Sequence, residues 1–203
     1  MEKSFIYLAS RSPRRAELLA QIGVGHRVFV HAPDGFVEAV DETPIAGEQP
    51  AGYVRRLARA KAETGWRALR SEGLEPRPLL AADTTVAAGT TILGKPESPG
   101  DAAAMLRTLS GRTHRVFTAV ALAWQDRIEL ALSESAVTMR ALADDEIGRY
   151  VDSLEPMGKA GAYAIQGKAA VFIERIEGSY SGVMGLPLFE TANLLKGAGL
   201  ALP

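Results

Sequence analysis

The chain has 203 residues and a formal net charge of −1, long enough for one domain with a sizeable core and too neutral for a general nucleic-acid binder. Hydrophobic residues at 47% and charged residues at 23% exclude disordered and fibrous classes. The absence of cysteine excludes disulfides, a thiolate nucleophile and a cysteine zinc site, and the three histidines, His26, His31 and His114, lack HExxH spacing.

No uninterrupted apolar stretch approaches the ~18 residues of a membrane helix. The N-terminus enters a strand pattern rather than a signal peptide, so a cytoplasmic protein without a membrane partner is expected. Strand-like runs alternate with helix-like ones, which predicts an α/β fold, a single domain over 1–203.

The first strand is predicted at Phe5 to Ala9 and the first helix at Ala16 to Ile22, closed by Gly23. Between them, Ser10-Arg11-Ser12-Pro13-Arg14-Arg15 reads as an anion site. Ser12 is a natural N-cap, and Pro13 suits the first helical position. Arg14 and Arg15 then stand where the helix dipole disfavours a cation by about 0.3–1 kcal/mol. A bound polyphosphate reverses that penalty, because backbone donors, dipole and two guanidinium groups face the same charge. Two solvated arginines are the alternative.

A strand is predicted at Arg27 to Val30, then a loop with Pro33, Gly35, Asp41, Glu42, Pro44 and Gly47, then a helix from Ala51 to Arg70. Glu42 is a solvated charge unless a second carboxylate converges on it to hold a metal. Lys61 shares the helical stripe of Val54, Leu57 and Ala58, so it either reaches into a pocket or snorkels along the helix edge. Leu79 to Ala87 reads as a buried strand interrupted by Asp83, a carboxylate that needs a partner. It is either a general base or metal ligand, or a cap where the strand meets solvent. Thr84 beside it offers a hydroxyl, or serves β propensity alone.

Gly89 to Pro96 has the glycine and lysine spacing of a P-loop, but Pro96 replaces the hydroxyl residue that would ligate Mg²⁺, so that reading fails. A rigid turn presenting Lys95 remains. A helix at Asp101 to Leu109, stopped by Ser110-Gly111, precedes strands at Arg115 to Trp124 and Ile128 to Met139. Asp144-Asp145-Glu146 opens another helix.

The loop Pro156 to Lys168 carries Lys159, Tyr163 and Gln166. The Gln166 amide donates and accepts at once, matching the imide edge of uracil or thymine, while Tyr163 is equally a core ring. A strand is predicted at Ala170 to Ile176 and a last helix at Phe189 to Lys196. Gly178 to Gly182 is out of register for a GxSxG elbow, since Tyr180 stands at the serine position.

In order, LASRSPRRAELL (8–19), VDETP (40–44), LARAKA (57–62), AADTTV (81–86), LGKP (93–96), MLRTLSGRTH (105–114), KAGAYAIQG (159–167) and GSYSGVMGLPL (178–188) resemble the Maf family of nucleoside triphosphate pyrophosphatases. Eight ordered blocks over nearly the whole chain are far more specific than any one of them. The resemblance implies the elongated α/β fold, a mixed sheet flanked by helices, shared with inosine triphosphate pyrophosphatases. It implies a cytoplasmic homodimer that cleaves a nucleoside triphosphate between its α and β phosphates.

The family's proposed proton acceptor falls on Asp83, and its specificity residues fall on Arg14, Thr84 and Gln166. The IQG block resembles the subgroup acting on dTTP, UTP and modified pyrimidine triphosphates such as 5-methyl-UTP. Ala164 and Gly182 depart from the Gly and Asn common in relatives. The expected site has Mg²⁺ or Mn²⁺ on Glu42 and Asp83, with Ser10, Arg14, Arg15, Lys61, Lys95 and Lys159 around the phosphates. The alternatives are a nucleotide-binding regulator linked to septum formation without turnover, and a pyrophosphatase preferring 7-methyl-GTP. An RNA-binding module fits poorly with the neutral charge and 6% aromatic content.

Overall fold

The computed structural model describes residues 5–30 and 40–202. His31, Pro33 and Gly35 lie outside them. Strand β1 (Phe5–Leu8) is apolar at every position and buried on both faces. Helix α1 (Pro13–Gln21) returns the chain so that strand β2 (Gly25–Val28) pairs parallel with β1. The strand predicted at Arg27 to Val30 therefore starts two residues earlier and ends at Val28. The pairing register fixes it, because β2 is an edge strand with mostly exposed side chains and gives little apolar signal of its own. Ser12 stands at the predicted N-cap position, yet its side chain makes no capping bond; its own N–H is spent on Ser10 Oγ at 3.2 Å.

Helix α2 (Pro50–Ser71) buries Val54, Leu57, Ala58, Lys61, Ala62 and Leu69 at three- and four-residue spacing. That stripe packs with Leu79 and Ala81 of strand β3 (Leu79–Ala88) and with Ala119, Ala121 and Ala123 of strand β5 (Thr113–Trp124). Small residues on the strands let the helix settle closely onto the sheet. Strand β4 (Thr91–Leu93), too short to show a pattern in the sequence, folds back on β3. Helix α3 (Pro99–Leu109) is capped by Ser98, whose hydroxyl accepts from Asp101 N–H at 3.1 Å.

Strand β6 (Arg127–Met139) pairs antiparallel with β5 over twelve positions, and helix α4 (Asp144–Asp152) follows. The segment predicted as a strand from Ala170 is a 3₁₀ turn over Lys168–Phe172, and strand β7 (Ile173–Glu177) begins only after it. The Ala170 N–H bonds back to the Gly167 carbonyl at 3.0 Å, which curls the chain where its apolar residues alone suggest extension. Helix α5 (Tyr180–Met184) and helix α6 (Leu188–Gly197) complete the fold.

The result is a seven-stranded mixed sheet flanked by helices, with spatial order β2-β1-β3-β5-β6-β7 and β4 attached to β3. Among the described residues no helix is long and apolar enough to cross a membrane.

One detail of the strand pairing shapes the surface around Asp83. Along one edge β3 is covered by β5 from Leu79 to Ala87. The other edge is shared: β1 takes Leu79 and Leu80, and β4 takes Val86 to Ala88. Residues 81–85 have no neighbouring strand there. The sheet is notched, and Asp83 sits in the middle of the notch.

Candidate active site

The notch opens into a cleft of about 700 Å³, and every candidate side chain named from the sequence lines it. Side chains alternate along a strand, so Asp83 faces α2 while Thr84 faces α1 and α5. The notch lets one cavity reach both faces.

Asp83 is 7% exposed. Its Oδ1 accepts from Lys61 Nζ at 2.6 Å, and the same ammonium donates to Glu42 Oε1 at 2.6 Å. Lys61 therefore neither snorkels nor stands free in the cleft. It is a buried bridge between two carboxylates, with one of its three N–H groups left over. Burial pushes the Asp83 carboxyl above the usual carboxylate range, against the pull of Lys61 and Arg15. Glu42 goes the other way: burial raises it, but bonds from Lys61 and Lys95 outweigh that and hold it below its ordinary value.

Glu42 lies on a loop, yet the loop is anchored. Tyr53 donates its hydroxyl to the Glu42 carbonyl at 2.8 Å. Arg56 grips Glu48 through two bonds of 2.7 Å and reaches the Thr43 carbonyl at 3.1 Å. The second carboxylate that the Glu42 reading required is thus present in Asp83.

Arg15 fills the notch. Its Nη1 donates to the Ala82 carbonyl at 2.8 Å, a group that an unbroken sheet would pair with another strand. Nη1 also reaches Ser10 Oγ at 3.2 Å, Nε reaches the Gly185 carbonyl at 2.8 Å, and Nη2 reaches Thr84 Oγ1 at 3.3 Å. Four of the five guanidinium N–H groups serve the fold, leaving one for a ligand. Thr84 is held from its other side by Thr118, whose Oγ1 bridges Thr84 Oγ1 (3.0 Å) and the Gly182 carbonyl (2.8 Å).

Ser10, 4% exposed, accepts from both Ser12 N–H and Arg15, so its own hydroxyl proton is available to an anion in the cleft. Lys95 reaches Glu42 Oε2 at 3.3 Å from an exposed turn. Lys159 donates to the Glu155 carbonyl, and burial, then Arg14, lowers its pKa. Gln166 is exposed and lines the same cleft, whose wall also includes the apolar side chains of Val116, Met157 and Val183. The glycine-rich stretch before it packs tightly: Gly161, at φ +68°, comes so close to β3 that a Cβ there would lie 2.8 Å from Val86. The Gly178–Gly182 segment is structural, with Ser179 Oγ accepting from Gly182 N–H at 3.0 Å to cap α5.

His114 carries no catalytic or metal-ligating spacing in the sequence. It is 2% exposed and its Nε2 lies 2.8 Å from the Tyr163 hydroxyl at the cleft wall. Nδ1 has no partner. A bare buried ring nitrogen costs less than an unpaired N–H, so Nε2 carries the proton and donates to Tyr163. Burial depresses the imidazole from 6.5 to about 4. The unfolded chain therefore binds a proton near pH 6.5 that the folded chain refuses until about pH 4. The resulting stability is complete above pH 6.5 and is lost as pH falls, by about 3 kcal/mol. Urea melts at pH 7 and pH 5 should show about 2 kcal/mol of this loss, the rest coming between pH 5 and pH 4, and His114→Gln should remove the corresponding part of the slope.

The Maf-like protein family model matches residues 5–198. A protein named dTTP/UTP pyrophosphatase from Bordetella parapertussis is 56% identical over 199 residues, covering 98% of this chain and 94% of that protein. Proteins of the same name from Cupriavidus pinatubonensis (54% over 196 residues, 97% and 98% covered) and Polaromonas sp. (52% over 198 residues, 98% and 98%) are similar to it as well. Among solved structures, the Staphylococcus aureus Ham1 protein matches with a TM-score of 0.49 and 14% identity over 96% of this chain and 97% of that one. That likeness is too distant to bear on the site.

Proposed function

The chain belongs to the Maf family, and from that premise we propose that it hydrolyses dTTP and UTP, and modified pyrimidine triphosphates such as 5-methyl-UTP, to the nucleoside monophosphate and pyrophosphate. The observation that carries the reading is a buried carboxylate, Asp83, bridged by Lys61 to Glu42 inside a cleft that also holds Arg14, Lys95 and Lys159. The triphosphate lies along the cationic wall. Ser10 donates its hydroxyl proton, Arg14, Lys95 and Lys159 supply charge, and Lys61 and Arg15 each contribute a remaining N–H. Gln166, whose amide takes no hydrogen bond from the described residues, reads the base edge with its donor and acceptor.

Asp83 orients a water and accepts its proton as oxygen attacks the α-phosphorus. The bond from that phosphorus to the bridging oxygen breaks, and pyrophosphate leaves toward the lysines and Arg14. Lys61 keeps Asp83 aimed at the reacting atoms.

A divalent cation fits this donor set. Among the described residues no three His, Cys, Asp or Glu side chains gather. Mg²⁺, however, is ordinarily held by one or two carboxylates together with substrate phosphates and water. Glu42 and Asp83 would hold it, and when bound it neutralises phosphate charge and polarises the P–O bond.

Incubation with UTP and Mg²⁺ is expected to release pyrophosphate and UMP without orthophosphate; orthophosphate as first product would refute the regiochemistry. Gln166→Ala is expected to lower kcat/KM for UTP and dTTP far more than for a purine triphosphate, by about 10- to 100-fold. Equal losses on all nucleotides remove Gln166 from base reading. A nucleotide-binding regulator needs the cations but no proton acceptor, so a buried Asp83 whose carboxyl is raised by that burial favours turnover.

A further inference from the structure

Gln166 sits on a short turn, closed by a bond from Gly167 N–H to the Ala164 carbonyl at 3.0 Å. A side chain that reads a base edge must be held to within a fraction of an ångström, and a turn with an exposed tip does not hold itself. Resting on the base-reading role of Gln166, we propose that Glu155, acting directly and through Tyr150, is the positioning residue that fixes this turn and sets the discrimination between pyrimidine and purine triphosphates.

Neither residue lines the cleft. The Glu155 carboxylate uses one oxygen on each flank of the turn. Oε2 accepts from Lys168 N–H at 3.2 Å. Oε1 accepts from the Tyr150 hydroxyl at 2.9 Å, and the phenol oxygen in turn accepts from Ala164 N–H at 3.2 Å. Residues 164 and 168 are thereby tied to one carboxylate, with Gln166 midway between them.

The phenol is 4% exposed and stacked edge-on against Phe172, and burial raises its pKa, so it stays a donor. Gly167 is the seat of this clamp. Its φ is −104°, which any residue adopts, so backbone conformation does not call for glycine there. Space does: a Cβ would lie 2.5 Å from Glu155 Oε1. The Glu155 carbonyl also accepts from Lys159, so the same residue ties the base end of the cleft to one of its cations.

The clamp requires two acceptors facing two donors. Glu155→Gln keeps the shape but turns an NH₂ toward either Tyr150 or Lys168 N–H. It is expected to raise KM for UTP about tenfold with kcat within about twofold, and to narrow the UTP-to-GTP ratio of kcat/KM by about tenfold. Tyr150→Phe, which strips the bridge, and Gly167→Ala, which evicts the carboxylate while leaving Glu155, Tyr150 and Gln166 unchanged, should do the same. These two decide the matter if Glu155→Gln folds poorly.

Gln166→Ala is measured alongside and in combination. When Gln166→Ala alone abolishes discrimination, Glu155→Gln in that background should narrow the ratio no further. Folded clamp variants that keep the parent ratio, or lose activity equally on UTP and GTP, overturn the clamp while the base-reading role stands. A Gln166→Ala variant with unchanged discrimination overturns the base-reading role, and the clamp proposal with it.

Discussion

Asp83→Asn should abolish pyrophosphate release, lowering turnover of UTP by about 10²- to 10⁴-fold, the usual contribution of a general base, while the thermal midpoint stays within a few degrees of the parent. The amide has the volume of the carboxylate and an oxygen that still accepts from Lys61 Nζ, now 2.6 Å from Asp83 Oδ1. Lys61 also keeps Glu42 as its charged partner. What disappears is the capacity to take a proton from water. A coupled assay for pyrophosphate, with circular-dichroism melting of both proteins, checks the two halves. Residual turnover within tenfold of the parent would remove Asp83 from the proton-accepting role.

Lys61→Met should be the more damaging change to the fold. The ammonium is 7% exposed at its side chain and neutralises two carboxylates at once. Removing it leaves Asp83 buried beside Glu42, with Arg15 still drawing its carboxyl down. Breaking a buried pair by deleting one partner costs about 3–5 kcal/mol, and the partial exposure of Glu42 places this case at the lower end.

The cost has a sign in pH. Loss of Lys61 removes the charge that pulls Asp83 down, so its folded pKa rises further above the unfolded value. An acid with a raised folded pKa destabilises the protein as pH climbs from the unfolded value through the folded one. The gap between parent and variant should be narrow near pH 4 and widest above neutrality, as read from urea midpoints across that range.

Long elements were legible because their pattern is local. The apolar run at β3, the strands β5 and β6, and the stripe of α2 appear in the structure within about two residues of expectation. Among the elements of three to five residues, β1 was legible as an apolar run, but β4 and α5 carry no periodicity, and the register of β2 comes from its partner. The same division runs through the site. Asp83 announced itself as a charge in an apolar strand, and Arg14 and Arg15 as cations at the wrong end of a helix. That Lys61 spans two carboxylates and that Arg15 is largely consumed by carbonyls and hydroxyls of the fold depend on which strands share an edge of β3, a long-range fact without a local signature. Glu155 and Tyr150 look like an ordinary loop acid and a core ring until the turn they hold is folded against them.

The unpaired stretch of β3 also limits how this protein can be hardened. Lengthening β1 or β4 by two residues toward each other would zip main-chain groups that now face the cleft or the Arg15 side chain, and ladder bonds gained that way should raise the melting temperature. Each such bond would close the floor of the cavity and expel the guanidinium from its seat. Robustness won by perfecting this sheet is therefore expected to come at the expense of turnover, whereas reinforcement along the covered β5 edge is free of that conflict.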